Sequence, residues 1–158
     1  MILYHGTNCD FTIIDLEKTK LYKDFGKGFY VTDIRQQACE LAKTRSRIWG
    51  GAPVVQAYEF DETVLQSNSL RALRFDKVCV EWAEFIYKNR SRYTNFTHDY
   101  DIVIGPIADD GVAYLLNLYE EGLRTLEELA KELEYKNLNS QYCFLTKRAI
   151  SFLRRVKK

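Results

Sequence analysis

Apolar and polar positions along this 158-residue chain follow two rhythms. Short runs rich in β-branched and aromatic residues fall at Ile2–His5, Gly28–Thr32, Val54–Phe60, Leu70–Phe75, Tyr100–Gly105 and Gln141–Thr146; several are bounded by Gly, Pro or Asp, and they predict six strands. Between them the apolar spacing is helical, with Ala38, Leu41 and Ala42 on one face, then Val78, Trp82, Phe85 and Ile86, then Leu126, Leu129, Ala130 and Leu133. Thr125 followed by Glu128 reads as a capping box opening the last of these helices, and Gly122 as the stop of a preceding helix over Val112–Tyr119. Asp109 and Asp110 fit the cap of that helix. The segment Lys147–Lys158, with Ala149, Ile150, Leu153 and Val156, predicts a closing helix.

Strands and helices therefore mix without regular β-α-β alternation, and no Gly-x-Gly-x-x-Gly turn leads from a strand into a helix, which excludes a Rossmann fold and predicts an α+β architecture. Only Pro53 and Pro106 are prolines, and neither repeat nor low-complexity tract marks a linker, so the expectation is one domain over residues 1–158. The N-terminus lacks the basic and apolar regions of a secretory signal, and no stretch has the apolar length of a membrane span, so a cytoplasmic protein without membrane partners is expected. With 23 basic and 22 acidic residues there is no global field for polyanions, so strong general nucleic-acid binding is not expected. The runs Lys43, Arg45, Arg47 and Arg154-Arg155-Val156-Lys157-Lys158 read as solvated faces. Cys9, Cys39, Cys79 and Cys143 lie too far apart for a metal knuckle; they are expected reduced, the last three buried, and no metal site is predicted.

Two segments carry candidate chemistry. His5, one of two histidines, sits in Tyr4-His5-Gly6-Thr7, where Gly6 frees the backbone for close approach; a ligand-facing turn is one reading, and a histidine satisfied by a hydrogen bond at a strand edge is the other. In Phe25-Gly26-Lys27-Gly28-Phe29-Tyr30, two glycines flank a lysine and lead into an aromatic strand. Gly-exposed backbone can meet a phosphate or amide, Lys27 can pair with a pyrophosphate, and Tyr30 can stack on a ring; a plain hairpin turn before a buried strand is the alternative. The second histidine, His98 beside Asp99, reads as a surface residue, and Glu81 and Glu84 as solvated helix charges.

Taken together, Tyr-His-Gly-Thr and Phe-Gly-Lys-Gly-Phe-Tyr at this separation resemble the NAD⁺-binding core of the ADP-ribosyltransferase superfamily, the poly(ADP-ribose) polymerases and diphtheria-toxin-like enzymes. Including Tyr100-Asp-Ile-Val-Ile-Gly-Pro-Ile-Ala-Asp-Asp110 and Asn139-Ser-Gln-Tyr-Cys-Phe144, the whole chain is similar to small bacterial proteins that resemble toxins of toxin–antitoxin pairs. The resemblance implies a split antiparallel β-sheet with flanking helices and NAD⁺ as co-substrate. It assigns His5, Tyr30 and Gln141 to the catalytic signature, and His5, Gly6, Thr7, Lys27, Gly28 and Tyr30 to NAD⁺ binding. His5 would hold a ribose hydroxyl, Gly6 the carboxamide through its backbone, Tyr30 the nicotinamide ring and Gln141 the ribose 2′-hydroxyl.

The chain departs from the superfamily pattern at Gln141, where a glutamate is usual, and at Ala38 and Leu41, where a serine and a second tyrosine are usual. Transfer from NAD⁺ passes through an oxocarbenium-like state, as glycoside hydrolysis does, and a neutral glutamine orients a hydroxyl without supplying a base. The resemblance thus implies mono-ADP-ribosylation of a protein or nucleic-acid acceptor that brings its own base, and a small antitoxin protein as partner. The alternative is an inactive NAD⁺- or ADP-ribose-binding module. The tRNA 2′-phosphotransferase branch ranks last, because it uses more histidine and arginine in its cleft than two histidines here supply.

Overall fold

The computed structural model describes residues 1–108, 110–133 and 139–157. Seven strands form one sheet: β1 (Ile2–Thr7), β2 (Phe29–Thr32), β3 (Val54–Phe60), β4 (Ala72–Arg74), β5 (Ile102–Pro106), β6 (Ser140–Phe144) and β7 (Leu153–Arg155), in the order β4-β5-β6-β2-β1-β3-β7. Among the described residues five α-helices accompany them, beside two short 3-10 turns: α1 (Arg35–Trp49), α2 (Val80–Arg90), α3 (Asp110–Glu120), α4 (Leu126–Leu133) and a single turn, α5 (Lys147–Ile150). The chain is thus α+β with a mixed sheet. No helix among the described residues is long and apolar enough to cross a membrane.

Side-chain alternation divides the interior in two. Phe29 and Val31 of β2, Ile102 and Ile104 of β5, and Tyr142 and Phe144 of β6 face one core with Leu3, Tyr58 and Phe60, which Phe11, Leu16 and Ile150 help cover. Val103 and Cys143, on the alternate positions, face a second core with Trp82, Phe85 and Ile86 of α2, Val112 and Leu116 of α3, and Leu129 and Leu133 of α4. A strand buried on both faces must be apolar throughout, and Ile102–Pro106 is.

Strand pairing departs from a wholly antiparallel sheet at one place. β4 and β5 are parallel, because α2 makes the crossover that a parallel pair requires. The middle of the sheet is weakly joined: β1 pairs with β3 from Ile2–Glu59 to Thr7–Val54, but meets β2 only at Tyr4–Thr32. β2 in turn pairs with β6 from Phe29–Phe144 to Thr32–Gln141.

Both predicted helix ends are present. The Thr125 amide donates to Glu128 Oε2 at 2.8 Å and the Glu128 amide to Thr125 Oγ1 at 3.2 Å. Gly122, at φ +75°, closes α3 with the Leu123 amide on Leu118 O and its own amide on Tyr119 O. Asp109, expected to cap α3, lies outside the described residues.

The closing helix is the main correction. Thr146 caps one turn through its Oγ1, and the chain then extends as β7 along the edge of β3, Leu153 opposite Phe60. A longer helix would pair its own backbone but leave the edge of β3 to water, whereas as β7 the segment supplies that edge with partners. Leu41, expected on the buried face of α1, is exposed, whereas Ala38 and Ala42 are buried. Cys143 alone of the four free cysteines is fully buried; Cys39 and Cys79 are half-buried.

Candidate active site at the parting of the sheet

β1, β2 and β6, which carry His5, Tyr30 and Gln141, are neighbours in the sheet; His5 and Tyr30 lie where β1 and β2 part beyond their Tyr4–Thr32 bridge, and Gln141 lies across β2, opposite Thr32. His5 and Gly6 lie inside β1 rather than in a turn, paired with Gln56 and Val55. The divergence leaves the Tyr30 carbonyl without a strand partner, and the His5 ring supplies one at 2.7 Å through Nδ1. A carbonyl only accepts, so Nδ1 carries the proton and Nε2 is the acceptor. Arg45 of α1 donates Nη1 to that Nε2 at 3.3 Å and to Gly6 O at 2.6 Å. Burial first, and the Arg45 charge with it, lower the His5 pKa to about 4, so the ring is neutral near pH 7. Phe29 lies beside it, ring centres 4.5 Å apart.

Gly6 is required by α1 rather than by a ligand. A Cβ there would stand 2.1 Å from the Ala38 carbonyl oxygen and 2.9 Å from the Ala42 amide. Gly28 is tight in the same way, its Cβ falling 2.5 Å from Cys143 Sγ on β6. Thr7 ends β1 buried, its Oγ1 accepting from the Cys9 amide.

Tyr30 closes the loop that precedes it. Its hydroxyl donates to Gly26 O at 2.7 Å and accepts from the Phe25 amide at 2.9 Å, while Gly26 turns at φ +100°. Burial, with the Cys143 thiol adjacent, pushes the phenol pKa up. Phe25 stacks on the ring at 6.5 Å, and the Lys23 ammonium stands 6.0 Å from its centre. Lys27 turns to Glu17 at 3.4 Å on the surface, and no described contact joins it to His5, Tyr30 or Gln141.

Gln141 is buried, opposite Thr32 of β2 and Gly105 of β5. Its Nε2 lies 2.9 Å from Asp24 Oδ2 and 3.4 Å from Pro106 O. Asp24, itself buried, takes Arg90 Nε on its other oxygen at 2.5 Å. Lys23 has its pKa lowered first by burial, with Asp24 raising it and Arg45, Arg90 and Lys20 lowering it further. Asp24 is thus paired with Arg90 and feels the charge of Lys23, directly beside Gln141.

Asp24, Lys23, Arg45 and Arg90 escaped the sequence reading. Arg45 sat in a basic run assigned to solvent, yet it is half-buried while Lys43 and Arg47 are exposed; its spacing from the buried Ala38 and Ala42 places it on the inner face of α1. Asp24 and Lys23 precede the aromatic-glycine motif by one and two positions. His98 is not a free surface residue: its Nε2 bonds Phe25 O at 2.8 Å and its ring packs 5.0 Å from Phe85. Glu84 pairs with Lys88 on the outer side of α2, and Glu81 is exposed. Among the described residues no cluster of His, Cys, Asp and Glu is arranged to hold a metal ion. Two surface hollows, one by Leu16 and Ile150 and one by Phe60 and Phe152, are lined by none of His5, Tyr30 and Gln141; Arg45 lies against His5 and Gly6.

No curated protein and no solved structure matches the chain. A family model described as "protein of unknown function (DUF3990)" matches residues 1–155. Spanning nearly every residue from β1 through β7, the match shows that the chain belongs to the DUF3990 family.

Proposed function

We propose that this protein is an NAD⁺-dependent mono-ADP-ribosyltransferase built on a split sheet of the ADP-ribosyltransferase kind. The observation that carries the reading is that His5, Tyr30 and Gln141 stand on three neighbouring strands around the weakly joined seam between β1 and β2, across which His5 bonds the Tyr30 carbonyl. The residues fit the donor in a specific way. Both partners of Gln141 Nε2 are acceptors, so its Oε1 is the amide's remaining group, ready to accept from a ribose hydroxyl. Gly6 O and His5 Nε2 are also acceptors, suited to the carboxamide NH₂ and a second ribose hydroxyl.

Those two acceptors are held by Arg45, so NAD⁺ binding in this manner displaces the Arg45 guanidinium. In the transfer the bond between ribose C1′ and nicotinamide breaks and nicotinamide leaves as a neutral molecule with the bonding pair. The acceptor's nucleophilic atom bonds C1′, and its proton passes to a base that the acceptor supplies. His5, Tyr30 and Gln141 orient the donor for this step. The resemblance extends the proposal to a cytoplasmic toxin neutralised by a small antitoxin protein.

The test is release of nicotinamide from NAD⁺ by the purified protein, with cell lysate as acceptor source, beside His5→Ala and Gln141→Ala. Release by the wild type, reduced at least about tenfold in both variants, is the expected outcome. Glutamine at 141 also favours a non-catalytic binding module; absence of release, with NAD⁺ still raising Tm, would select it.

A further inference from the structure

We infer that Asp24 is a positioning residue for Gln141, and that the two form a matched donor–acceptor pair that explains why this site carries glutamine. The inference rests on the proposed NAD⁺ reading and deepens it. Asp24 Oδ1 is anchored by Arg90 Nε at 2.5 Å, which leaves Oδ2 to meet Gln141 Nε2 at 2.9 Å. The Pro106 carbonyl, at 3.4 Å, faces the same nitrogen. A carboxylate and a carbonyl both demand hydrogens, so the orientation of the Gln141 amide is dictated by its surroundings rather than free to flip.

Gln141 Oε1 has no hydrogen-bond partner among the described residues, and no side-chain polar atom is sealed in the interior unpartnered. The oxygen therefore keeps some contact with solvent and is the group of this buried amide that a ligand hydroxyl would meet. With Asp24 in place the site offers an acceptor and selects a hydroxyl donor; without it the amide can rotate and present NH₂ instead.

A glutamate side chain at this position would set a carboxylate oxygen against Asp24 and against the Pro106 carbonyl, with no hydrogen between them. The substitution that restores the superfamily residue should thus impair this protein. Combining Asp24→Asn with Gln141→Glu exchanges the two groups and reverses the hydrogen bond without changing total charge. The new amide then donates its nitrogen to one oxygen of the new carboxylate and keeps its own oxygen on Arg90, while the second carboxylate oxygen faces the ligand.

Full-length wild type, Asp24→Asn, Gln141→Glu and the double variant are compared for nicotinamide release at varied NAD⁺, and for Tm with and without NAD⁺. Each single substitution should lower kcat by roughly ten- to a hundredfold, the effect of losing a charge-assisted hydrogen bond. The double variant restores the hydrogen bond but leaves the Pro106 carbonyl facing an oxygen, so it should regain about tenfold over Gln141→Glu without fully reaching wild type. Where a single variant folds poorly, turnover is normalised to folded protein and the double variant decides. A double variant no better than the worse single, or Gln141→Glu at least as active as wild type, overturns the pairing while leaving the transferase reading intact. A wild type that neither releases nicotinamide nor gains stability from NAD⁺ overturns both.

Discussion

His5 couples local structure to pH through one proton. Its Nδ1–H satisfies the Tyr30 carbonyl and its bare Nε2 accepts from Arg45, so the folded state holds the neutral ring, with a pKa of about 4 against an ordinary value of 6.5. In the pH window between those two values the unfolded chain binds a proton that the folded chain excludes. The stabilising contribution is complete above 6.5 and is lost as pH falls toward 4, amounting to about 3 kcal/mol over the window. Urea unfolding between pH 7.5 and 4.5 should show this decline, and His5→Asn should lower stability at pH 7.5 while flattening the slope. An equally steep slope in the variant would assign the proton to another group. At this scale His5, Tyr30 and Gln141 could be singled out from the sequence because they stand in recognisable local strings. Asp24, Lys23, Arg45 and Arg90 could not, since a charged residue goes to solvent by default and only the tertiary fold brings these four beneath one another.

Close approach of α1 to β1 is the contact that shapes the site's roof. Ala38 and Ala42 present almost nothing but backbone, and Gly6 lets that backbone come down onto the strand. Gly6→Ala would force helix and strand apart and carry Arg45 with the helix, so the expected loss is more than about 3 kcal/mol, the scale of severe overpacking. Gly122→Ala is the informative contrast: nothing lies within 4 Å of its Cβ position, and only its φ of +75° resists a side chain, a cost of about 1 kcal/mol. Thermal unfolding of both variants checks the ranking, and a Gly6→Ala protein as stable as Gly122→Ala would mean that α1 yields easily. Elements with strong local signals were readable from the sequence, among them the β3 run, the capping box of α4 and the Gly122 stop. β7 was not. Ala149, Ile150, Leu153 and Val156 recur at helical spacing, but the unpaired edge of β3 captured the second half of that run, a non-local influence that periodicity does not contain. The parallel pairing of β4 with β5 is non-local in the same sense, decided by how α2 crosses the sheet.

Across the molecule, the β3 edge and the candidate site are linked through β7. Arg155 bonds the Phe11 carbonyl and pairs with Asp10, and Phe11 lies 5.8 Å from the His5 ring and 6.3 Å from Phe29. Arg154 pairs with Glu59 on the adjoining strand, so three residues of β7 hold both the edge of the sheet and the loop that covers His5. Cutting the chain after Ser151 would expose the backbone groups of β3 from Tyr58 to Phe60 and leave Phe60 without Leu153 across from it. Exposed edges of this kind template pairing with another chain. The shortened protein should therefore unfold at lower temperature and, compared with the full chain at equal concentration, shift to larger species in size-exclusion chromatography with light scattering. Arg155→Gln separates the two roles: it keeps the strand, so it should stay at the full chain's size while losing stability through the loosened Phe11 loop. If the shortened chain matched the full chain in both size and Tm, β7 would be a passive covering, and the order around His5 would have to come from α1 and β2 alone.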